Sequence, residues 1–362
     1  MGHFHRGLYA RHSVDEEAAV ASPAEWFVVG LDNGGSTNNA TVLAPSGDFL
    51  VDEMAETPSL VREGPDKAIE ALARSLDHIL RHTGLAASAV RAVGLDTPGP
   101  ASAEGVISSR GATNFGHHGW RGFDIRSALQ SRLGIPVVYS NDANAAALYA
   151  HYARFGEMAA ERSSVAAIVG TGLGGGVVEA GMVITGAAGM AGELGHIQIP
   201  MAGLLAPGQP IPLCNCGLVG DVESVASLTG IERNLLPFWL ARFEGHELGA
   251  VRPVSEAAKL VRGHGERGDP LALKIFEQQA IALGRLFTMA ANFTDPYAYF
   301  VGGGVVHAAP HFRDWYLATV RKHTLLREEQ TRTAAIALVP DLDMAGARGA
   351  AIAALKWLTR AR

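Results

Sequence analysis

An aspartate stands where an apolar strand would pass into a helix in the stretch SNDANAAA, which runs from Ser140 to Ala147. Ligands of α/β proteins bind outside the carboxyl ends of such strands. A carboxylate there can accept the proton of a substrate hydroxyl group that attacks phosphorus, and Asn141 can orient that hydroxyl. The sequence therefore predicts Asp142 as a general base. The alternative is that Asp142 only caps the following helix, as aspartate often does.

Two glycine-rich stretches, LDNGGST and TGLGGG, are candidates for phosphate loops. Glycine lets backbone amides approach a phosphate without an intervening Cβ, hydroxyl groups can add donors, and an aspartate can hold Mg²⁺ through water. If both turns face one cleft, they could hold one polyphosphate between them. Each stretch alone is equally typical of an ordinary hairpin turn. The candidate residues are Asp32, Gly34, Gly35, Ser36, Thr37, Thr171 and Gly172.

Further polar side chains lie in apolar, glycine-rich surroundings in GMAGELGHIQIP and CNCGLVGDVES. Glu193, His196 and Glu223 could bind the hydroxyl groups of a sugar. The second stretch contains the only two cysteines of the chain, Cys214 and Cys216, which with His196 are three candidate zinc ligands. Structural zinc takes four ligands, so these three alone do not complete a site. Two cysteines form no disulfide framework, which favours a reducing cytoplasm.

The elements that must position these residues follow an alternating α/β pattern. The segment SVAAIVGTGLGGGVVEAG repeats the strand, glycine turn and strand of WFVVGLDNGGSTNNATVL, which indicates an internal duplication. Two similar lobes would enclose a ligand in the cleft between them. Within the first lobe, NATVLAPSGDFLVDEMAETP predicts two strands around a Pro-Ser-Gly turn, and DKAIEALARSLDHILRHTG predicts a helix.

Length and composition limit the class of protein. A chain of 362 residues suggests two domains, and its net charge of −6 argues against a general electrostatic grip on nucleic acid or anionic membranes. No apolar run approaches the roughly 20 residues of a membrane span, and the N-terminus lacks the apolar core of a signal peptide. The predicted organisation is a disordered leader (1–25), an N-terminal lobe (26–142, completed by a C-terminal helix, 345–362) and a C-terminal lobe (143–344) with a possible zinc loop (196–224).

Taken together, the motifs resemble the ROK family of sugar kinases and related repressors from about Trp26 onward. The matching stretches, in the family's order, are DNGGST, TPGPASAEGVISSRGATNFGHHGW, NDANAAA, GTGLGGGVVEAG, AGELGH, CNCGLVGDVES and NFTDPYAYFVGGG. The resemblance implies the actin/hexokinase-like fold, in which two ribonuclease-H-like α/β lobes flank an interlobe cleft. It also implies ATP and Mg²⁺ as cofactors.

The resemblance implies a role for each matching residue. It makes Asp142 the catalytic base, and it makes Thr171, Gly172 and the glycines of DNGGST phosphate-loop residues. The segment GGG at the end of the last matching stretch would lie near the adenosine, and it consists of Gly302, Gly303 and Gly304. The implied sugar-binding residues, in addition to Asp142, are Asn114, Asn141, Glu193, His196 and Glu223.

Departures from the family pattern affect the metal loop and the cleft. The family holds zinc with one histidine and three cysteines, whereas Asp221 stands here in place of the third cysteine. GGST replaces the usual GGTK, and Asp96 stands where glycine is common. Because aspartate is a legitimate zinc ligand, the sequence predicts a site of His196, Cys214, Cys216 and Asp221. The alternative is that zinc is lost and packing holds the loop.

The predicted function is ATP-dependent phosphorylation of a primary hydroxyl group of a sugar or sugar-like polyol, with a hexose such as glucose as first candidate. An N-acyl hexosamine or a cyclitol is the alternative acceptor. Alternatives of another class are a non-catalytic sugar sensor, against which the intact Asn141–Asp142 pair argues, and a repressor. The repressor branch carries a helix-turn-helix domain, for which the 25 residues before Trp26 are too few. We also expect a cytoplasmic homodimer without nucleic acid or membrane partners.

Overall fold

The computed structural model describes residues 26–99, 101–107 and 114–360. The predicted leader (1–25), residues 108–113 of the sugar-side segment and the last two residues of the predicted closing helix lie outside the described residues. The strands are β1 (Phe27–Asn33), β2 (Thr37–Leu43), β3 (Thr57–Pro58), β4 (Val90–Thr97), β5 (Val137–Asn141), β6 (Ser163–Val169), β7 (Leu173–Glu179), β8 (Met182–Val183), β9 (Ala298–Gly302) and β10 (Ala335–Leu338). The helices are α1 (Pro65–Thr83), α2 (Ile125–Leu133), α3 (Asp142–Phe155), α4 (Leu228–Gly230), α5 (Leu236–Leu240), α6 (Val254–Glu266), α7 (Pro270–Thr294), α8 (Pro310–His323), α9 (Glu328–Thr331) and α10 (Ala345–Arg360).

The strands form two five-stranded sheets with the same topology. The order is β3-β2-β1-β4-β5 in the first sheet and β8-β7-β6-β9-β10 in the second. Each sheet begins with antiparallel hairpin strands, β1–β2 or β6–β7, and continues with parallel neighbours, β1–β4–β5 or β6–β9–β10. The predicted internal duplication and the two-lobed α/β fold are therefore confirmed.

The central strands form because short apolar runs can be buried on both faces of a sheet that is covered by helices. In β1, for example, Val28, Val29 and Leu31 have no exposed surface. Each sheet has its own apolar core, and a third apolar cluster joins the two sheets through α3 and α10. This third cluster is rich in alanine, which allows the two helices to approach closely.

Helices α3 and α10 pack against each other with small residues at the contact. A Cβ built on Gly349 of α10 would lie 1.8 Å from the backbone oxygen of Ala145 in α3. Helix α10 also packs on β1 and β4 of the first sheet, whereas α3 packs on β6 and β7 of the second. The close approach at Gly349 therefore sets the distance between elements that belong to different sheets.

Two of the local predictions can be compared directly with the structure. The helix predicted over DKAIEALARSLDHILRHTG is confirmed as α1, which ends at Thr83. The second strand predicted after the Pro-Ser-Gly turn forms only in part. Leu43 pairs with Phe49, the chain then leaves the sheet, and it returns as the two-residue strand β3, which pairs with β2. In the intervening segment the Ala55 backbone N–H donates to the side chain of Asn39 (3.1 Å) in place of a ladder hydrogen bond.

The limits of the two lobes, 26–142 with 345–362 and 143–344, stay a prediction. Helix α3 begins at Asp142 and contacts strands of both sheets, so it is an element that the lobes share. Within the described ranges, no helix combines the length and the apolar character that crossing a membrane requires.

Candidate active site

A cavity of about 840 Å³ lies between the carboxyl ends of β4 and β5 and the β6–β7 hairpin of the second sheet. Its wall also includes the 3₁₀ turn Leu194–His196 and part of the cysteine loop. The predicted site residues that line it are Asn114, Asn141, Asp142, Thr171, Gly172, Glu193, His196, Cys216 and Glu223. The structure thus brings the predicted sugar-binding residues and the second glycine turn to one space.

The other predicted nucleotide residues lie outside the lining of this cavity. They are Asp32, Gly34, Gly35, Ser36, Thr37, Gly302, Gly303 and Gly304. The first turn is nevertheless adjacent, because a Cβ built on Gly35 would lie 2.5 Å from Asn114 Oδ1. The Gly34 N–H donates to the Thr37 backbone oxygen (2.9 Å) and closes the β1–β2 turn. Gly302 is the last residue of β9, which is the parallel neighbour of β6.

Asp142 is the first residue of α3, directly after β5. Asn141 caps this helix, since its Oδ1 accepts the backbone N–H groups of Ala143 (3.0 Å) and Asn144 (3.4 Å). Asp142 Oδ1 accepts the Ala143 N–H as well (2.7 Å). The sequence left open whether Asp142 only caps this helix. In the structure Asn141 is the capping residue, Asp142 accepts one of the same N–H groups, and Asp142 also lines the cavity.

The electrostatics at Asp142 suit a proton acceptor. Burial raises the pKa of Asp142 to about 7, the Ala143 N–H opposes that shift, and the nearby carboxylates of Asp32 and Glu193 raise it further. A carboxylate with a pKa near neutral pH combines a useful ionised fraction with the driving force to take a proton.

Glu223 connects the cysteine loop with the second glycine turn. Its Oε2 accepts the backbone N–H of Leu173 (2.8 Å) and lies 2.5 Å from the position of a Cβ built on Gly172. Its Oε1 lies 3.4 Å from Cys214 Sγ. Thr229 Oγ1 donates to the backbone oxygen of Thr171 (2.9 Å). Glu223 therefore orients the turn as well as facing the cavity, a coupling that the sequence did not predict.

The four predicted zinc ligands converge. Their ligand atoms all lie within 4.8 Å of one another. His196 Nδ1 is 3.3 Å from Asp221 Oδ2 and 3.8 Å from Cys214 Sγ, and Cys216 Sγ is 3.8 Å from Asp221 Oδ2. Bonds of about 2.0–2.3 Å in a tetrahedral zinc site separate the ligand atoms by roughly 3.3–3.8 Å. The arrangement is compatible with one tetrahedral ion.

The surroundings of the cysteine loop also favour a cation. Asp221 has no exposed surface, and its Oδ1 accepts the backbone N–H of Ser224 (2.9 Å). Its other oxygen, Oδ2, faces His196 and Cys216. Burial raises the pKa of the Cys214 thiol well above its usual value. A thiolate there needs a neighbouring positive charge, which a bound metal ion supplies.

The cavity has polar residues to which the sequence assigned no role. Asn144 is 8% exposed, lines the cavity, and its Oδ1 has no hydrogen-bond partner within the described part of the chain. Thr229 and Asn215 line it as well. Asn144 lies within the motif SNDANAAA, so the signal for it was its position one helical turn from Asn141.

Two duplicated α/β lobes, a polar cavity between them and a carboxylate at a strand end fit the class of sugar kinases with the actin-like ATPase fold. A family comparison matches residues 28–356 to the ROK family. The chain belongs to the ROK family, and the predicted family and fold are confirmed.

Individual relatives agree with this class. The chain is 32% identical to a glucokinase of Halalkalibacterium halodurans, across 82% of this chain and 84% of that protein. It is 29% identical to an N-acetylmannosamine kinase of Citrobacter koseri, across 85% and 92% of the two chains. A solved ROK glucokinase from Streptomyces griseus, in complex with glucose and AMPPNP, is 28% identical with a TM-score of 0.64 and covers 91% of this chain and 99% of its own. The protein is an ATP-dependent sugar kinase.

Proposed function

We propose that this protein transfers the γ-phosphoryl group of ATP to a primary hydroxyl group of a hexose such as glucose, with Asp142 as general base. The observation that carries the proposal is the half-buried Asp142 carboxylate directly after β5, which lines the interlobe cavity. The glucokinase relative and the solved glucokinase with glucose and AMPPNP support the choice of acceptor and donor.

In this mechanism the chain's own residues position the acceptor and take its proton. The acceptor hydroxyl group donates its proton to Asp142 as its oxygen attacks the γ-phosphorus, and the bond from the γ-phosphorus to the β-phosphate oxygen breaks to release ADP. Asn141, Asn114 and Glu193 hold the sugar. Positioning and charge stabilisation provide most of the rate enhancement in phosphoryl transfer. Closure of the lobes would exclude water, which competes as an acceptor.

The nucleotide would lie beside the two glycine turns. We assign the phosphates to the turn residues Gly34, Gly35, Ser36, Thr37, Thr171 and Gly172, and the adenosine to Gly302, Gly303 and Gly304. The half-buried carboxylate of Asp32 fits Mg²⁺, because this ion prefers oxygen ligands. When bound, Mg²⁺ neutralises charge on the phosphates.

The experiment that tests this function is an assay of ATP consumption with a panel of hexoses, N-acyl hexosamines and cyclitols. We expect glucose or another simple hexose to give the highest kcat/KM. A clear preference for N-acetylmannosamine, which is what the Citrobacter koseri relative's name specifies, or for a cyclitol would overturn the choice of acceptor. Sugar binding without any ATP consumption would instead support a sensor.

The pH dependence of the reaction should report the ionisation of Asp142. The base must be deprotonated, and its pKa is raised to about 7 by burial, so kcat/KM should be constant above that pH. Below it, kcat/KM should fall toward about tenfold per pH unit as the carboxylate is protonated. We would measure kcat/KM between about pH 5 and pH 9. An activity that is unchanged down to about pH 5 would contradict the raised pKa, because an ordinary aspartate titrates lower still and would remain ionised over that range.

We also propose a structural zinc ion bound by His196, Cys214, Cys216 and Asp221. By fixing the cysteine loop, the ion would hold Glu223 and His196 at the sugar side of the cavity. Because a carboxylate is a harder ligand than a thiolate, this site should bind zinc with lower affinity than a site with three cysteines.

Metal analysis tests the zinc proposal. We expect about one zinc per chain at this site, lost on Cys214→Ser, and tighter binding in Asp221→Cys because a third thiolate replaces a carboxylate. A second group, His246, His264 and Asp269, also has ligand atoms within 4.8 Å of one another. The zinc content that Cys214→Ser loses relative to the parent therefore identifies this site better than the total zinc content of the parent does. Chelator competition that gives the same affinity for Asp221→Cys and the parent would mean that Asp221 is not a ligand.

Three further expectations from the sequence stay predictions: a homodimer, a cytoplasmic location and the lack of nucleic acid partners.

A further inference from the structure

Two aspartates lie side by side beneath the first glycine turn. Asp32 and Asp96 are direct neighbours in the parallel pairing of β1 with β4, at the carboxyl ends of both strands. Asp96 has no exposed surface, and neither of its side-chain oxygens has a hydrogen-bond partner among the described residues. A buried carboxylate is costly unless a proton, hydrogen bonds or a cation compensate it. The pair therefore needs either a shared proton or a cation beside the proposed nucleotide site.

The two side chains point to one small space. A Cβ built on Gly346 would lie 3.0 Å from Asp32 Oδ2 and 3.2 Å from Asp96 Oδ2. Gly346 is the second residue of α10, which has 16 residues. Because residue 346 is glycine, no side chain fills the space between the helix and the two oxygens. The positive end of the helix dipole favours negative charge there but supplies less than one full charge.

We propose that Asp32 and Asp96 together bind one divalent cation, with Asp96 as a second protein carboxylate for the ion that accompanies ATP. This inference rests on the proposed function for the identity of the ion, Mg²⁺. Carboxylate oxygens and water are the ligands that Mg²⁺ takes in proteins, and affinity rises with the number of charged ligands. The consequence is a cation site that forms before the nucleotide binds.

The competing explanation is a proton shared between the two carboxyl groups, which would also compensate the buried charge. The two explanations differ in one measurable property. A carboxyl pair that only shares a proton has no affinity for a cation beyond that of an ordinary surface carboxylate. A cation site requires both side chains.

Binding of Mn²⁺, which stands in for Mg²⁺ and is visible by electron paramagnetic resonance, tests the proposal on the full chain without nucleotide. We expect the parent to bind one Mn²⁺ that Mg²⁺ displaces, and Asp96→Asn to bind it about tenfold or more weakly, since one charged ligand is removed. Asp32→Asn should weaken it similarly. The control Asp77→Asn, an exposed carboxylate on α1, should bind like the parent. Equal affinity in the parent and Asp96→Asn, or no Mn²⁺ displaced by Mg²⁺ in the parent, would overturn the proposal.

A thermal measurement provides a second readout for the same variants. A cation that binds only the native state raises the melting temperature. Mn²⁺ should therefore raise it in the parent and in Asp77→Asn, and much less in Asp96→Asn and Asp32→Asn. An equal rise in all four proteins would contradict the two-aspartate site. If Asp96→Asn does not fold, Asp96→Gly takes its place, because glycine is common at this position in the family and Asp32→Asn alone would weaken binding whether or not Asp96 is a ligand.

The kinase assay separates a failure of this inference from a failure of the proposed function. If the parent phosphorylates a hexose but Asp96→Asn binds Mn²⁺ normally, the cation site is wrong and the hexose kinase stands. If Mn²⁺ binding depends on Asp96 but no sugar is phosphorylated, the site stands and the proposed function is wrong.

Discussion

Replacing Asp142 by asparagine is expected to lower kcat by about 10²- to 10⁴-fold, the usual effect of losing a general base. The substitution keeps the size of the side chain and leaves an oxygen that can accept the Ala143 N–H, so the start of α3 should be preserved. It removes the group that accepts the proton of the acceptor hydroxyl. Affinity for the sugar and the melting temperature should change little by comparison. Steady-state kinetics and a thermal melt would measure both.

The matched control for Asp142→Asn is Asp124→Asn. Asp124 also caps a helix, since its Oδ1 accepts the Ser127 N–H (2.8 Å) at the start of α2. It does not line the cavity described above. Asp124→Asn should therefore retain kcat. If Asp142→Asn kept kcat within a few-fold of the parent, or if both variants lost it equally, the general-base role would be refuted.

Replacing Gly349 by alanine is expected to destabilise the fold strongly. The new Cβ would lie 1.8 Å from the backbone oxygen of Ala145. Movement of one flexible side chain cannot relieve this clash, so the whole of α10 must move away from α3. Alanine in a helix gains about 1 kcal/mol over glycine, but overpacking of a tight contact costs about 1–3 kcal/mol or more. Because the new Cβ meets backbone atoms, which cannot rotate away as a side chain can, we expect a net loss at the upper end of that range, measured by denaturant unfolding.

The same substitution at Gly263 provides the control. Gly263 lies inside α6, and the nearest atom to a Cβ there is Arg267 Nη1 at 3.5 Å, the end of a flexible side chain. Gly263→Ala should stabilise the protein by up to about 1 kcal/mol, since only helix propensity changes. A Gly349→Ala protein as stable as Gly263→Ala would show that the α3–α10 contact tolerates a wider spacing.

Local sequence patterns were sufficient for much of the fold and, together with the family resemblance, for most of the predicted residues that line the cavity. Strands and helices follow from apolar spacing over a few residues, which is why α1 and the duplicated hairpins were predictable. The strand predicted after the Pro-Ser-Gly turn forms only in part, and between its paired ends the Asn39 side chain accepts the Ala55 N–H. That contact joins residues 16 positions apart, so local spacing does not reveal it.

The sequence by itself determined which residues are candidates for the chemistry: Asp142 after a strand, the two glycine turns, and two cysteines with a histidine and an aspartate. Only the tertiary structure decided how they combine. It brings Asp221 Oδ2 and His196 Nδ1 to 3.3 Å, it ties Glu223 to the turn at Leu173, and it places Asp32 and Asp96 against Gly346. The physical reason is the distance along the chain over which the deciding interactions act. Secondary structure depends on neighbours along the chain, whereas the compensation of buried charges depends on side chains that become neighbours only when sheets and helices pack together.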